Sequence, residues 1–248
     1  MKKLAIILSV ILIPIFFSCE KISDVIEESG LTNEEIIQGL KEALRVGTDT
    51  AVSIVSQLDG YYGDPIIKIL LPPEADIIVN NANSPLLTAI GVSQMIDDVI
   101  LSINRSAEDA ATEAASIFIN AISSMTISDG LSILNGSDSA ATHYLRITTN
   151  SDLHNLFKPK MQTSLNKPIV GGTSAQDTWT SLTNQYNSVA NTLAGQLAGL
   201  TPVTTQLDDF ITSKALDGLY IKIAEEEKDI RNNPIARIND ILKKVFGP

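Results

Sequence analysis

Between Ile96 and Met125 the apolar residues stand at 96, 100, 103, 107, 110, 114, 117, 121 and 125. Their intervals average close to the ~3.6 residues of one α-helical turn, so they line a single stripe of a helix surface. The pattern predicts one long amphipathic helix, or two stacked end to end. Strand signals are nearly absent. Only Ile66 to Leu71, within "YYGDPIIKILLPPE", is short, β-branched and bounded by prolines, and one extended segment makes no sheet by itself. Aromatics are 5% of the chain, while Ala, Ile and Leu are common, which favours helices packed through aliphatic layers. The expected fold is all-α: a single elongated multi-helix bundle with a C-terminal helical hairpin and at most one short extended segment.

Helix punctuation fills in the rest. Thr32 and Glu35 form a capping box and Leu31 and Ile36 a hydrophobic staple, opening a helix that runs towards Asp59-Gly60. A helix follows from about Pro73 to Asn81, and Ser84-Pro85 starts another. Ser128 caps a short helix ended by Gly136, and Ser137 or Asp138 caps "SAATHYLRI". Ser151 begins a further helix, in which Pro159 introduces a kink. After a linker from Asn166 to Gly172, Thr173 and Gln176 frame a helix reaching about Asn191, where "LAGQLAGLTP" ends it or packs closely on a neighbour. The C-terminal hairpin comprises a long helix from Thr205 or Asp208 to about Arg231, then a last helix capped by Asn233-Pro234. The apolar positions of that last helix are Ile235, Ile238, Leu242 and Val245.

The N-terminus addresses the chain. Lys2 and Lys3 precede an apolar run, Leu4 to Phe17, too short for a transmembrane helix of roughly 20 residues but suited to a secretory signal. It ends at Cys19, the single cysteine. The segment resembles a bacterial lipoprotein signal, read here as Phe16-Phe17-Ser18-Cys19, in which cleavage precedes an acylated cysteine. An uncleaved anchor or a buried core thiol are the alternatives, and the basic start, the apolar run and the lone cysteine together favour acylation. The expected organisation is a signal peptide at 1–18, a tether at 19–30 and a helical domain at 31–248. Its place is the envelope of a Gram-negative bacterium, on the periplasmic or cell-surface side.

Removing Lys2 and Lys3 takes the net charge from −11 to −13. A chain this acidic is repelled by nucleic acid and by anionic lipid heads, so the lipid and not charge would hold it to a membrane. With Trp179 the single tryptophan, a stacking platform for bases or sugars is poorly supported.

One carboxylate breaks the pattern of the hairpin. Leu219, Ile223 and Ile230 share a helix face, and at 100° per residue Glu226 falls in its middle. A carboxylate buried there needs a partner, and Arg231, Arg237 and the more distant Arg105 are the candidates. Glu227 pairs naturally with Arg231 at i, i+4. Two readings follow: a salt bridge that docks the hairpin, or a general acid or base working beside Asn104 and Glu108, as a hydrolase would require. Other constellations are weaker. His143 and His154 lie on different predicted helices and suit surface or capping roles better than zinc. Ser164 and Lys167 fit S-x-x-K without its companion motifs. "NGSDS" at 135–139 reads as a C-cap followed by an N-cap. No cofactor or metal is expected.

Five stretches resemble a bacterial family known as domain of unknown function 4197: "GLKEALRVGTDTAV" (39–52), "ILLPPE" (69–74), "NRSAEDAATEAASIFINAI" (104–122), "ILNGSDSAATHYL" (133–145) and "ALDGLYIKIAEEEKDIRNNPIARINDILKKVFG" (215–247). The resemblance implies a secreted or lipidated α-helical protein of a family without an assigned activity, and it carries no catalytic residues across. The expected role is a non-enzymatic module that binds an envelope protein or small ligand, with a groove bordered by the hairpin. The alternative is a hydrolase built on the hairpin's carboxylate and arginine cluster.

Overall fold

The computed structural model describes residues 30–128 and 130–247. The signal segment, Cys19 and the tether lie outside the described residues. Helix α1 (Asn33–Val55) opens as its sequence dictates: the Thr32 hydroxyl accepts from the Glu35 N–H, and the Glu35 carboxylate accepts from the Thr32 N–H. Leu31 and Ile36, the two halves of the staple, are both buried. An irregular stretch, 56–72, leads through a 3₁₀ turn (Pro73–Ala75) into the short helices α2 (Asp76–Asn81) and α3 (Pro85–Thr88).

The long apolar stripe folds as two helices, α4 (Val92–Ala111) and α5 (Ala114–Ser124), parted at Thr112-Glu113. The chain continues as α6 (Gly130–Leu134), α7 (Ala140–Leu165), α8 (Ala175–Ala190), α9 (Leu193–Leu197), α10 (Asp208–Asn232), a 3₁₀ turn (Pro234–Ala236) and α11 (Asp240–Phe246). The fold is all-α, and among the described residues the only β-type pairing is a bridge between Val170 and Thr173.

Helix α10 packs against both α1 and α7; α5 and α6 close over α1 and α7, and α4 lies between α7 and α8. Leu40, Leu44, Val99, Ile103, Leu145, Leu182, Leu219 and Ile223 fill the layers between them with essentially no exposure. Each such side chain removed from water stabilises by roughly 1.5–3 kcal/mol, an upper figure because the unfolded chain is itself partly collapsed. Helix α11 docks on α1 at Gly39, where any Cβ would stand 2.5 Å from the Val245 side chain. Among the described residues no helix is long and apolar enough to cross a membrane.

Several elements differ from expectation. The two helices foreseen around 139–165 are one, and so His143 and His154 share α7. Inside it the hydroxyls of Thr148 and Thr149 donate back to the carbonyls of Tyr144 and Leu145. The helix passes through Pro159 and runs on to Leu165. Ser174, not Thr173, caps α8. At the C-terminus Asn233 caps only the 3₁₀ turn, and Asn239 starts the last helix by accepting from the Leu242 N–H. Ile235 and Ile238 are therefore exposed, at 88% and 67%, while Leu242 and Val245 are buried.

Candidate functional site

The polar residues singled out in the sequence fall into two separate networks. The first stands on α4. The Asn104 carboxamide, fully buried, accepts from the Ile69 N–H at 2.9 Å and donates to the Ile69 C=O at 2.7 Å. That pair of bonds is what a neighbouring strand would supply, so one side chain stands in for a sheet partner. One turn further on, Glu108 Oε1 accepts from the N–H groups of both Tyr61 and Tyr62, at 3.1 Å each. Its other oxygen takes Arg105 at 2.6 Å, and Arg105 reaches on to Asp59, also at 2.6 Å. Burial pulls the Arg105 pKa down, and the bonds to Asp59 and Glu108 more than offset it, leaving it above the ordinary arginine value. Asp59 holds a left-handed φ of 67°, uncommon for a residue with a side chain. Tyr61 is buried beneath this loop and donates to the Ala215 carbonyl of α10 at 2.7 Å. Gly218 makes room for it, because a Cβ there would meet the Tyr61 ring at 2.7 Å.

The second network stands on the last turns of α10. Glu227 is fully buried and accepts from the N–H groups of Ala141 (3.0 Å) and Thr142 (2.7 Å) and from the Thr142 hydroxyl (2.7 Å). It caps α7 from a distant part of the chain, while Ser139, at the N-cap position, makes no side-chain capping bond. Arg231 pairs with Glu227 at 2.7 Å and donates to the carbonyls of Leu134 and Ile133 at the end of α6. The carboxylate thus meets a helix N-terminus and the guanidinium a C-terminus, each the favourable sign for the dipole it faces. Arg237 spreads its donors over the carbonyls of Ile230, Arg231 and Gly247, which closes the end of α10 and turns the chain back on itself.

The two networks do not converge. The first touches α10 at Ala215 and the second sits at Glu227, about 18 Å further along a helix rising ~1.5 Å per residue. Their carboxylates are spent on backbone N–H groups and arginines. The buried carboxylate of the hairpin is Glu227 and not Glu226, because α10 is packed by α1 and α7 together, which turns the buried face of its C-terminal half towards Glu227. Glu226 is half-buried beside Gly47 of α1 and makes no ion pair among the described residues. Burial, with Asp229 and Glu225 nearby, pushes its pKa above the ordinary carboxylate value. None of its bonds reach Arg231, Arg237 or Arg105.

The weaker motifs also find places. Ser164 donates to Asp109 at 2.7 Å, and Lys167 pairs with the same carboxylate at 2.5 Å. His143 is exposed and His154 faces Asp209 at 3.8 Å. Among the described residues no group of three metal-ligating side chains is placed to hold an ion.

A concavity was not readable from the sequence. Segment 66–71 and the N-terminal half of α10 border a groove of about 410 Å³, lined on the α10 side by Phe210, Lys214, Asp217, Gly218 and Ile221. Along the segment burial alternates: Ile67, Ile69 and Leu71 face in, whereas Ile66 and Leu70 are 67% and 59% exposed. A second cleft, about 570 Å³, lies between α4 and α8. Its two carboxylates are already engaged, Asp98 by Gln94 and Asp177 by Ser174.

Fold and site together define an all-α bundle in which polar side chains pin one irregular segment beside an open groove. The chain belongs to the family described as protein of unknown function (DUF4197), which matches residues 30–247. No curated protein and no solved structure matches it.

Proposed function

We propose that this protein is a non-enzymatic binding module of the bacterial envelope, held to a membrane by a lipid on Cys19, whose α10 groove receives a segment of a partner protein. The observation that carries the reading is the groove itself: an apolar concavity on the long helix of the hairpin, with two large aliphatic side chains left in solvent at its rim. The state of the carboxylates supports it too. Glu108 and Glu227 hold backbone N–H groups and arginines, an arrangement that fixes architecture.

The anchor is tested by feeding cells an alkyne-bearing fatty acid. The full chain takes up label and sediments with membranes, and Cys19→Ser loses both properties; unlabelled wild type would refute the anchor. The groove is tested with a photo-reactive residue at position 214 of the full chain, against the same residue at Leu156 on the exposed face of α7. A single defined protein adduct from 214 and none from 156 supports the module. Adducts from both positions alike, or from neither, would overturn it.

A further inference from the structure

We infer that the groove binds its partner by strand addition: an extended peptide pairs with the free edge of residues 68–71, presenting an acidic residue to Lys68. This deepens the reading above and rests on it.

In an extended chain successive residues turn their N–H and C=O groups to opposite edges, while N–H and C=O of one residue share an edge. Both groups of Ile69 point to Asn104 on α4. Residues 65–67 form a turn in which the N–H groups of Ile67 and Lys68 donate to the Asp64 C=O, at 3.3 and 2.8 Å, so the extended part of the segment is 68–71. Within it the N–H and C=O of Leu70 point away from α4, as does the C=O of Lys68. No residue of α4 lines the groove, whose far wall is α10, so this second edge borders it. Among the described residues the Leu70 N–H, the Leu70 C=O and the Lys68 C=O have no hydrogen-bond partner. An unpaired strand edge is a template for another extended chain.

The geometry selects the occupant. The turn at 65–67 and Pro72, which has no N–H to donate, bracket the extended residues, so pairing is confined to 68–71. Lys68 lies over the Tyr62 ring at 3.8 Å and pairs with no carboxylate among the described residues. Across the groove Asp217 is already engaged by Arg146 at 2.5 Å, with Lys214 at 3.7 Å. The unspent cation is thus on the strand edge, where an acidic residue of the incoming peptide would meet it. Ile66 and Leu70, both exposed at the groove, offer apolar contact to side chains of that peptide.

The test uses the full chain in detergent against an array of immobilised hexapeptides in which apolar residues alternate with Glu or Thr. Each has an isomer of the same composition without alternation. Alternating peptides containing Glu are retained with Kd below about 100 µM, and their isomers are not. N-methylation of the best peptide at the amide facing Leu70 weakens it about 2- to 10-fold, as loss of one backbone bond requires. Lys68→Glu shifts the preference from Glu-bearing to Lys-bearing peptides. Leu70→Pro removes the donor on the protein side and abolishes retention; if that variant melts early, the N-methylated peptide gives the same readout on wild-type protein. Equal retention of alternating peptides and isomers, or indifference to N-methylation, overturns strand addition. Photo-adducts at 214 would then still uphold the groove, and their absence would remove both.

Discussion

Segment 59–71 and the junction between α6 and α7 both leave backbone groups without secondary-structure partners, and in each a neighbouring helix completes them. The means differ. On the segment, a neutral carboxamide and one carboxylate from α4 hold Ile69, Tyr61 and Tyr62, and local turns take up 63–68. The N–H and C=O of Leu70 and the C=O of Lys68 are left bare among the described residues. At the junction, an ion pair from α10 takes the end of one helix and the start of the next, so both sides are closed. The closed junction is architecture. The half-closed segment is a shaped surface that remains available, which is why the groove and not the ion pair carries the functional reading.

The largest expected effect is at the closed site. Glu227→Ala leaves Arg231 without its buried partner and opens the start of α7, for about 3–5 kcal/mol, a fall of roughly 10 °C in a domain this size. Thermal melting measures it, and hydrogen exchange should quicken at Ala141 and Thr142 while Ile69 stays protected. Asn104→Leu tests the other site. It strands the buried N–H and C=O of Ile69 at about 2–3 kcal/mol, and the loss of protection should be confined to 59–71. Were each variant to loosen both regions equally, the two networks would be one unit and the contrast would fail.

Arg237→Lys is smaller, about 1–2 kcal/mol, because an ammonium cannot span three carbonyls as a guanidinium fork does. It should free the C-terminal turn and leave the groove intact, as peptide retention would record. The last change has the opposite sign. The Glu226 pKa is raised in the folded chain, so the folded state holds its proton to higher pH than the unfolded one. Stability is lost as pH rises from the ordinary carboxylate range through the raised value. Glu226→Gln should therefore melt slightly higher than wild type at pH 7, with the gain vanishing near pH 4, about where a solvated carboxylate titrates. A lower midpoint at pH 7 would mean that the carboxylate has a stabilising partner after all.

Much of the architecture was legible because it is written in local periodicity. The Thr32–Glu35 capping box, the staple of Leu31 and Ile36, and the stripe from Ile96 depend on residues a few positions apart. The site was legible only in its parts. The i, i+4 spacing of Glu227 and Arg231 revealed the pair, but no spacing reveals that the N–H groups awaiting that carboxylate lie 85 residues earlier. A hint was present: 137–139 offers three capping side chains, yet the helix that follows starts without a capping bond from Ser139. The error at Glu226 came from averaging three apolar positions into one face, when two helices pack on α10 and widen it. The last helix was misread because Ile235 and Ile238 fit its period, whereas Arg237 bends the backbone there to reach the carbonyls of α10.

The cap that Glu227 places on α7 also sets an order in time. A chain emerging from the ribosome, or threading through a membrane, delivers α6 and α7 long before α10 arrives. Until residue 227 is out, the first turn of α7 has no acceptor and the end of α6 no donor, so that junction stays unfinished. The last tenth of the polypeptide is therefore a latch: the middle of the molecule locks only once the C-terminus has been delivered, and a prematurely ended chain cannot pass for a complete one.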